Sequence, residues 1–191
     1  MAITDSNHVA VGKPDLEVSG GLLVAPIGTT RPASYDDTID PAYVSVGYVG
    51  DDGATESTER DVEDIKAWGG IRVRTVQTDH SSEISLTLIE STNAETLRLV
   101  YGDDNVTVDG DNISVRRNAK ELPKRQFLIP MLDGNNSRIL DIGRGQVTET
   151  GDVTYVDGEA ISYEITITCE PDENNDTIVE HIQDPTFVDE G

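Results

Sequence analysis

The sequence holds a single cysteine, Cys169, so no intrachain disulfide braces it and one hydrophobic core must hold the fold. Bases are scarce: 14 Lys and Arg stand against 37 Asp and Glu, a formal net charge of −23. Proteins that grip nucleic-acid phosphates or an anionic leaflet need a basic face, and this composition argues against both. Aromatics are few, with one Trp, two Phe and six Tyr, which disfavours a stacking cleft for sugars. No stretch approaches the roughly 18 apolar residues of a membrane span. Residues 1–8 lack the basic-then-apolar order of a signal peptide, so the default expected compartment is the cytoplasm.

Chemistry-bearing constellations are missing as well. His8, His80 and His181 fall far apart in the sequence, without the spacing of zinc ligands, and read as surface histidines. Cys169 ends an alternating run on its apolar side and reads as a small buried hydrophobe. The acidic turns Asp103-Asp104-Asn105 and Asp109-Gly110-Asp111-Asn112 lack the twelve-residue calcium loop with its closing Glu, and turn chemistry accounts for them. Gly143-Arg144-Gly145 is a bare G-x-G. No catalytic residue, metal site or cofactor is expected, and the protein is not expected to be an enzyme. A hydrolase using paired acids would require one carboxyl of raised pKa in a pocket.

What the sequence has in quantity is alternation. Ile84, Leu86 and Leu88 alternate with Glu83, Ser85 and Thr87; Ile161, Tyr163, Ile165, Ile167 and Cys169 alternate with polar partners over the longest such run. Further strands are expected over 22–27, 43–49, 105–108, 113–117, 125–132 and 138–143. Residues 71–78 and 83–88 read as a hairpin around Asp79-His80-Ser81. One helix is expected over 93–101, with capping-box spacing in Thr92-Asn93-Ala94-Glu95, an apolar stripe of Ala94, Leu97 and Tyr101, and Gly102 as its stop. The fold class is mainly β: an antiparallel β-sandwich or barrel with one short flanking α-helix.

The organisation reads as an N-terminal arm over 1–20, a β domain over 21–171 and an acidic C-terminal tail over 172–191. The tail has no Lys or Arg and is expected to be mobile or ordered by a partner. Within the domain, 51–70 is a long polar excursion expected to project as a loop. Its middle, 61–68, could form one or two helical turns, with Gly69-Gly70 as a stop.

The segment Tyr48-Val49-Gly50-Asp51-Asp52-Gly53-Ala54-Thr55, running on to Asp64-Ile65-Lys66-Ala67-Trp68-Gly69-Gly70, resembles the major tail tube protein of long-tailed, non-contractile bacteriophages. Residues 87–97 and 100–107 are similar to that family's strand–helix–turn, and 159–168 followed by Pro171 to its last strand. The resemblance spans about 21–171. It implies a β-sandwich with a flanking helix, related to the tubes of contractile tails and type VI secretion, and hexameric rings stacked into a hollow tube. That tube surrounds a tape-measure protein, meets a tail terminator and distal tail or baseplate proteins, and passes DNA into the host without specific binding. The implied location is the virion, with assembly in the host cytoplasm and no membrane partner.

Residue readings fit this expectation. A stacking contact that does not close on itself propagates as a filament and needs a projecting element. The excursion 51–70 is the longest candidate, with Ile65, Trp68, Gly69 and Gly70 as contact residues between rings or subunits. Trp68 could equally cap this domain's own core. An acidic lumen would repel DNA, and Glu83 and Glu164 on polar strand faces are the lumen candidates, although ordinary solvated faces explain them as well. Arg72 and Arg74, if they share that face, count against it. The rival reading is a non-enzymatic β-sandwich binding module for carbohydrate or a cell surface. It predicts an aromatic platform or a metal-organised loop, and neither is evident.

Overall fold

The computed structural model describes residues 9–184 of the 191-residue chain. Nine strands form in chain order: β1 (Gly21–Pro26), β2 (Val44–Lys66), β3 (Arg72–Leu88), β4 (Val106–Asp109), β5 (Asn112–Val115), β6 (Arg125–Asp133), β7 (Asn136–Thr150), β8 (Tyr163–Cys169) and β9 (Val179–Gln183). One helix, α1 (Ala94–Tyr101), lies between β3 and β4 and is followed by a 3-10 turn over Asp103–Asn105. The main sheet runs β6-β1-β2-β3-β8-β7, every pair antiparallel, and β7 pairs again with β6. The sheet therefore closes, which decides between the two architectures left open by the sequence: it is a six-stranded barrel, and closure removes the edges an open sheet would expose.

The alternation explains the interior. Leu22, Val24, Ile84, Leu86, Leu88, Phe127, Ile142, Tyr163, Ile165 and Ile167 fill the barrel together with Leu97, Leu99 and Val100 of the helix. β1 is buried on both faces, because Leu23 and Ala25 point outward into a second cluster with Tyr43, Leu128 and Ile139, roofed by Tyr35 and Ile39 of the 28–43 loop. Gly145 sits where a Cβ would come within 2.9 Å of Ile167 and 3.0 Å of Phe127, so its lack of a side chain lets β7 approach the core.

The helix starts one residue later than the capping-box reading implies. Asn93 is the N-cap and its side chain accepts from the Glu95 N–H at 2.9 Å, while Glu95 pairs with Arg98 rather than reaching back. Gly102, at φ 91°, closes the helix with its N–H on the Arg98 carbonyl. Thr96 is wholly buried and donates its hydroxyl to the Val46 carbonyl, fixing the helix to β2.

Both terminal segments pack on the barrel, the tail against the expectation that it is mobile. The arm is tied down from residue 13: Leu132 N–H bonds to the Lys13 carbonyl at 2.9 Å, Asp15 N–H to the Pro130 carbonyl at 3.0 Å, and the buried Asp15 carboxylate accepts the Tyr35 hydroxyl at 2.6 Å. The tail contributes a strand, since β9 pairs with β7 from Ser137↔Gln183 to Asp141↔Val179. β8 covers only the C-terminal half of β7, and β9 takes the edge left open along the N-terminal half. That unfilled edge is a property of the barrel, and the composition of the tail alone carries no sign of it.

Candidate functional site

The excursion after Gly50 is neither loop nor helix. β2 and β3 continue past the barrel as a two-stranded ribbon, paired from Thr58↔Ser82 to Lys66↔Arg72 with shifts of register between Asp61 and Val62 and between Ile65 and Lys66. The helical turns expected over 61–68 do not form, because Val62, Glu63, Asp64 and Ile65 pair with Gln77, Val76, Thr75 and Arg74. The expected turn at Asp79-His80-Ser81 is likewise continuous strand, paired with Asp61, Arg60 and Glu59. Cross-strand partners nine to twenty-two residues away decide both, and a local window does not register them. The true turn is at Ala67–Ile71, where the Ala67 N–H bonds to the Ile71 carbonyl at 2.8 Å and Gly69 and Gly70 stand at φ 100° and 87°. The glycine pair read as a helix stop is the left-handed turn of a hairpin.

From Thr58 to Lys66 the ribbon reaches about 27 Å beyond the Ser82–Cys169 pair at ~3.3 Å per residue. β8 ends at Cys169, opposite Ser82, so past that level β2 and β3 pair only with each other among the described residues. Trp68 is 104% exposed, and Val62, Ile65, Ile71 and Val73 stand more than half exposed beside it. Trp68 therefore does not cap its own core. Ile65, Trp68, Gly69 and Gly70 lie together at the tip. Residues 65–78 include Lys66, Arg72 and Arg74 and no acid, so a strongly acidic chain ends its longest projection in an apolar and basic pole. Arg72 and Arg74 lie on the ribbon and not on the barrel face that carries Glu83.

Glu83 and Glu164 do share one face, the outer face of the β3–β8 pair. Glu83 lies opposite Thr168 and Glu164 opposite Thr87, with Ser85 opposite Thr166 between them. The hydroxyls form a ladder: Ser85 to Thr166 at 3.1 Å, and Thr148 to Thr168 at 2.8 Å. Neither 82–88 nor 163–169 contains a Lys or Arg. The face is thus hydroxyl-rich and acidic, and its inward-pointing neighbours are the barrel core.

The remaining titratable groups serve the fold. Cys169 is buried, and burial pushes its thiol up to about 12, which leaves it protonated and unreactive. His80 is half-buried on the ribbon, and His8 lies outside the described residues. His181 is not a surface histidine: its Nε2 is buried without a hydrogen-bond partner, 3.9 Å from Asp141 Oδ2. Asp141 is 1% exposed and accepts from Arg31 Nε at 2.8 Å, and Arg31 also bonds Asp172 at 2.5 Å. Burial raises the Asp141 pKa against the pull of Arg31. This cluster clamps the 28–43 loop and the turn before β9 onto β7. Among the described residues, no group of three His, Cys, Asp or Glu is arranged to hold a metal ion.

The fold is a mainly antiparallel β-barrel with a flanking helix and a long protruding ribbon. The family described as "Phage tail tube protein" matches residues 17–189. The chain belongs to that family. No curated protein matches the sequence. Among solved structures, the chain is similar to one in the anti-feeding prophage tube-terminating cap, with TM-score 0.47, 12% identity, 96% of this chain and 100% of that one covered. It is also similar to one in the sheath-tube complex of the extracellular contractile injection system PVC, with TM-score 0.47, 9% identity and coverages of 94% and 99%. A third is in the virion of a native gene transfer agent, with TM-score 0.40, 14% identity and coverages of 85% and 95%.

Proposed function

We propose that the protein is the repeating subunit of a non-contractile, siphovirus-type phage tail tube, in which hexameric rings stack into a hollow cylinder. The observation that carries this reading is the ribbon. It places an apolar, basic tip far outside the barrel, where nothing among the described residues covers it. Such a tip on an acidic body is a heterologous contact, which repeats as a filament when it does not close. The closed wall of six strands offers little edge to share, so lateral pairing falls to the outer edge of β9 and to the ribbon, whose two outer edges are unpaired beyond Val49 and Ser82 among the described residues.

The same reading assigns the outer face of β3 and β8 to the lumen, with Glu83 and Glu164 projecting from it. Duplex DNA carries one charge per about 1.7 Å of axis, and a wall of hydroxyls and carboxylates lets it pass without binding. The tape-measure protein would fill that lumen before ejection; the terminator and the distal tail or baseplate proteins would cap its ends. The protein would be a virion component assembled in the host cytoplasm, with a structural and not an enzymatic role.

The test is negative-stain electron microscopy of concentrated protein over a range of salt, since screening relaxes repulsion between subunits of charge −23. Rings or hollow tubes of uniform width are expected. Dispersed monomers at every salt and concentration would favour the binding-module alternative.

A further inference from the structure

The tip needs an acceptor, and its own barrel cannot provide one at the far end. β3 leaves the barrel at Ser82, paired with Cys169; the other end of the same pair is Leu88↔Tyr163. Six residue steps separate these levels, about 20 Å. Tyr163 therefore lies on the opposite side of the barrel from the ribbon, roughly 45 Å from the tip along the strands.

At that far end is a groove of about 430 Å3 lined by Tyr101, Tyr155, Tyr163, Ile113, Asp111 and Arg117, among others. Tyr101 and Tyr163 meet edge to face with centroids 5.9 Å apart. Arg117 stacks over Tyr101 at 5.0 Å and bonds the Tyr155 hydroxyl at 3.2 Å. Tyr155 is nonetheless 65% exposed and Val156 52%, so an aromatic wall stands open to solvent. Asp111 and Arg117 are the charged residues of its lining, and exposed carboxylates neighbour the lining in sequence: Asp109 beside Asp111, and Asp152, Asp157 and Glu159 within four residues of Tyr155. Arg116 and Arg117 are the bases on this side. The groove thus concentrates three of the six tyrosines beside exposed carboxylates.

We infer that this groove receives the Trp68 tip of a second copy of the chain. The indole enters beside Tyr101 and Tyr155, where an aromatic ring gains edge and face contacts. Lys66 and Arg74 meet Asp111 and the carboxylates near it, while Arg72 stays within 3.5 Å of Asp64 in its own ribbon, and this complementarity of charge steers the tip and fixes its orientation. Donor and acceptor lie at opposite ends of one barrel, so each subunit gives a tip to one neighbour and accepts a tip from another. The inference rests on the tube reading and supplies its stacking contact. A different groove, between Val9–Gly12 and Met131, is lined in part by the chain's own arm and has no aromatic ring in its lining, which suits an indole less well.

Trp68 is the sole tryptophan and reports its own burial. Two variants are mixed: Tyr155→Asp, which keeps the tip and spoils the groove, and Trp68→Ala, which keeps the groove and has no indole. Far-ultraviolet circular dichroism checks that both are folded. The emission of the Tyr155→Asp chain should move to shorter wavelength when the Trp68→Ala chain is added in excess. It should stay put when the Trp68→Ala/Tyr155→Asp double variant is added instead. No shift with the Trp68→Ala chain, or an equal shift with both, overturns the groove assignment. Microscopy of the unaltered protein tests the tube reading separately: tubes from a protein whose variants fail this exchange would leave the tube standing and remove the groove.

Discussion

Arg31 and Asp141 are 110 residues apart in the chain and share a 2.8 Å hydrogen bond that joins the 28–43 loop to the barrel wall. Asp141 is almost wholly buried, so its carboxylate relies on that guanidinium. Arg31→Ala should cost about 3 kcal/mol, the usual consequence of removing one member of a buried pair. The cost should depend on pH. Burial already raises the Asp141 pKa, and losing Arg31 raises it further. An acid whose folded pKa lies above its unfolded value loses stability as pH rises through the folded value. The gap between variant and native protein should therefore be smallest in acid and widen toward neutrality. Urea midpoints across pH measure it, and a gap constant with pH would refute the account.

Glu170 behaves in the opposite sense. Its hydrogen bond to Lys124, with Arg144 beside it, holds its carboxyl below the ordinary range. A depressed carboxyl contributes stability above its unfolded pKa and loses it as pH falls through the folded one. Glu170→Gln should cost about 0.5 kcal/mol at neutral pH, given the partial exposure of all three partners. That difference should vanish in acid. Thermal melts at two pH values decide it.

Trp68→Ala should leave the subunit as stable as before, within about 0.5 kcal/mol, because the indole stands fully exposed among the described residues. Assembly should fall sharply. Coincident denaturation curves with a loss of tubes would separate an assembly residue from a folding residue. A drop in subunit stability would show that Trp68 packs within its own molecule.

Gly47 stands at φ 88°, and the Glu90 carboxylate occupies the space where a Cβ would lie, within 2.4 Å. That carboxylate accepts from the Tyr48 N–H at 3.0 Å and from the Asn93 side chain at 3.0 Å, linking β2 to the helix cap. Gly47→Ala would both strain the backbone and evict Glu90. A loss of roughly 2 kcal/mol or more is expected, exceeding that of Glu90→Gln alone. Calorimetry of both variants provides the comparison.

Hydrogen exchange should divide the molecule at Ser82. Amides of 59–81 have one strand partner and solvent on both faces, and two-stranded ribbons are marginal in isolation. They should exchange far faster than Ile84, Leu86 and Leu88, then slow on assembly. The amides of Asp15, bonded to the Pro130 carbonyl of β6, and of Ser19, bonded to the Asp15 carbonyl, should be protected in the free subunit. Equal protection of the ribbon before and after assembly would contradict its role.

Period-two alternation made the barrel walls readable: Ile84, Leu86, Leu88, Ile165 and Ile167 all point inward as their spacing predicts. The helix was readable from Leu97 and Gly102, though its cap proved to be Asn93. The ribbon was not readable. Residues 54–66 carry no apolar alternation, because a ribbon with two wet faces needs none, and the pairing that orders it is with 72–86. β9 was hidden for the same reason: what makes Val179–Gln183 a strand is the bare edge of β7. Of the site residues, Trp68 and the glycines were recognisable as a projecting element. The groove at the far end was not, since Tyr101, Tyr155 and Tyr163 are brought together only by the closed barrel.

Cys169, the chain's one thiol, is sealed in the barrel and held in its inert protonated form. The outer surface thus offers nothing to a maleimide or a gold particle. A cysteine placed at any exposed position would be the sole reactive handle on each copy. A polymer of such copies would carry its labels at the spacing set by its own packing, a ruler whose graduations are chosen by one codon.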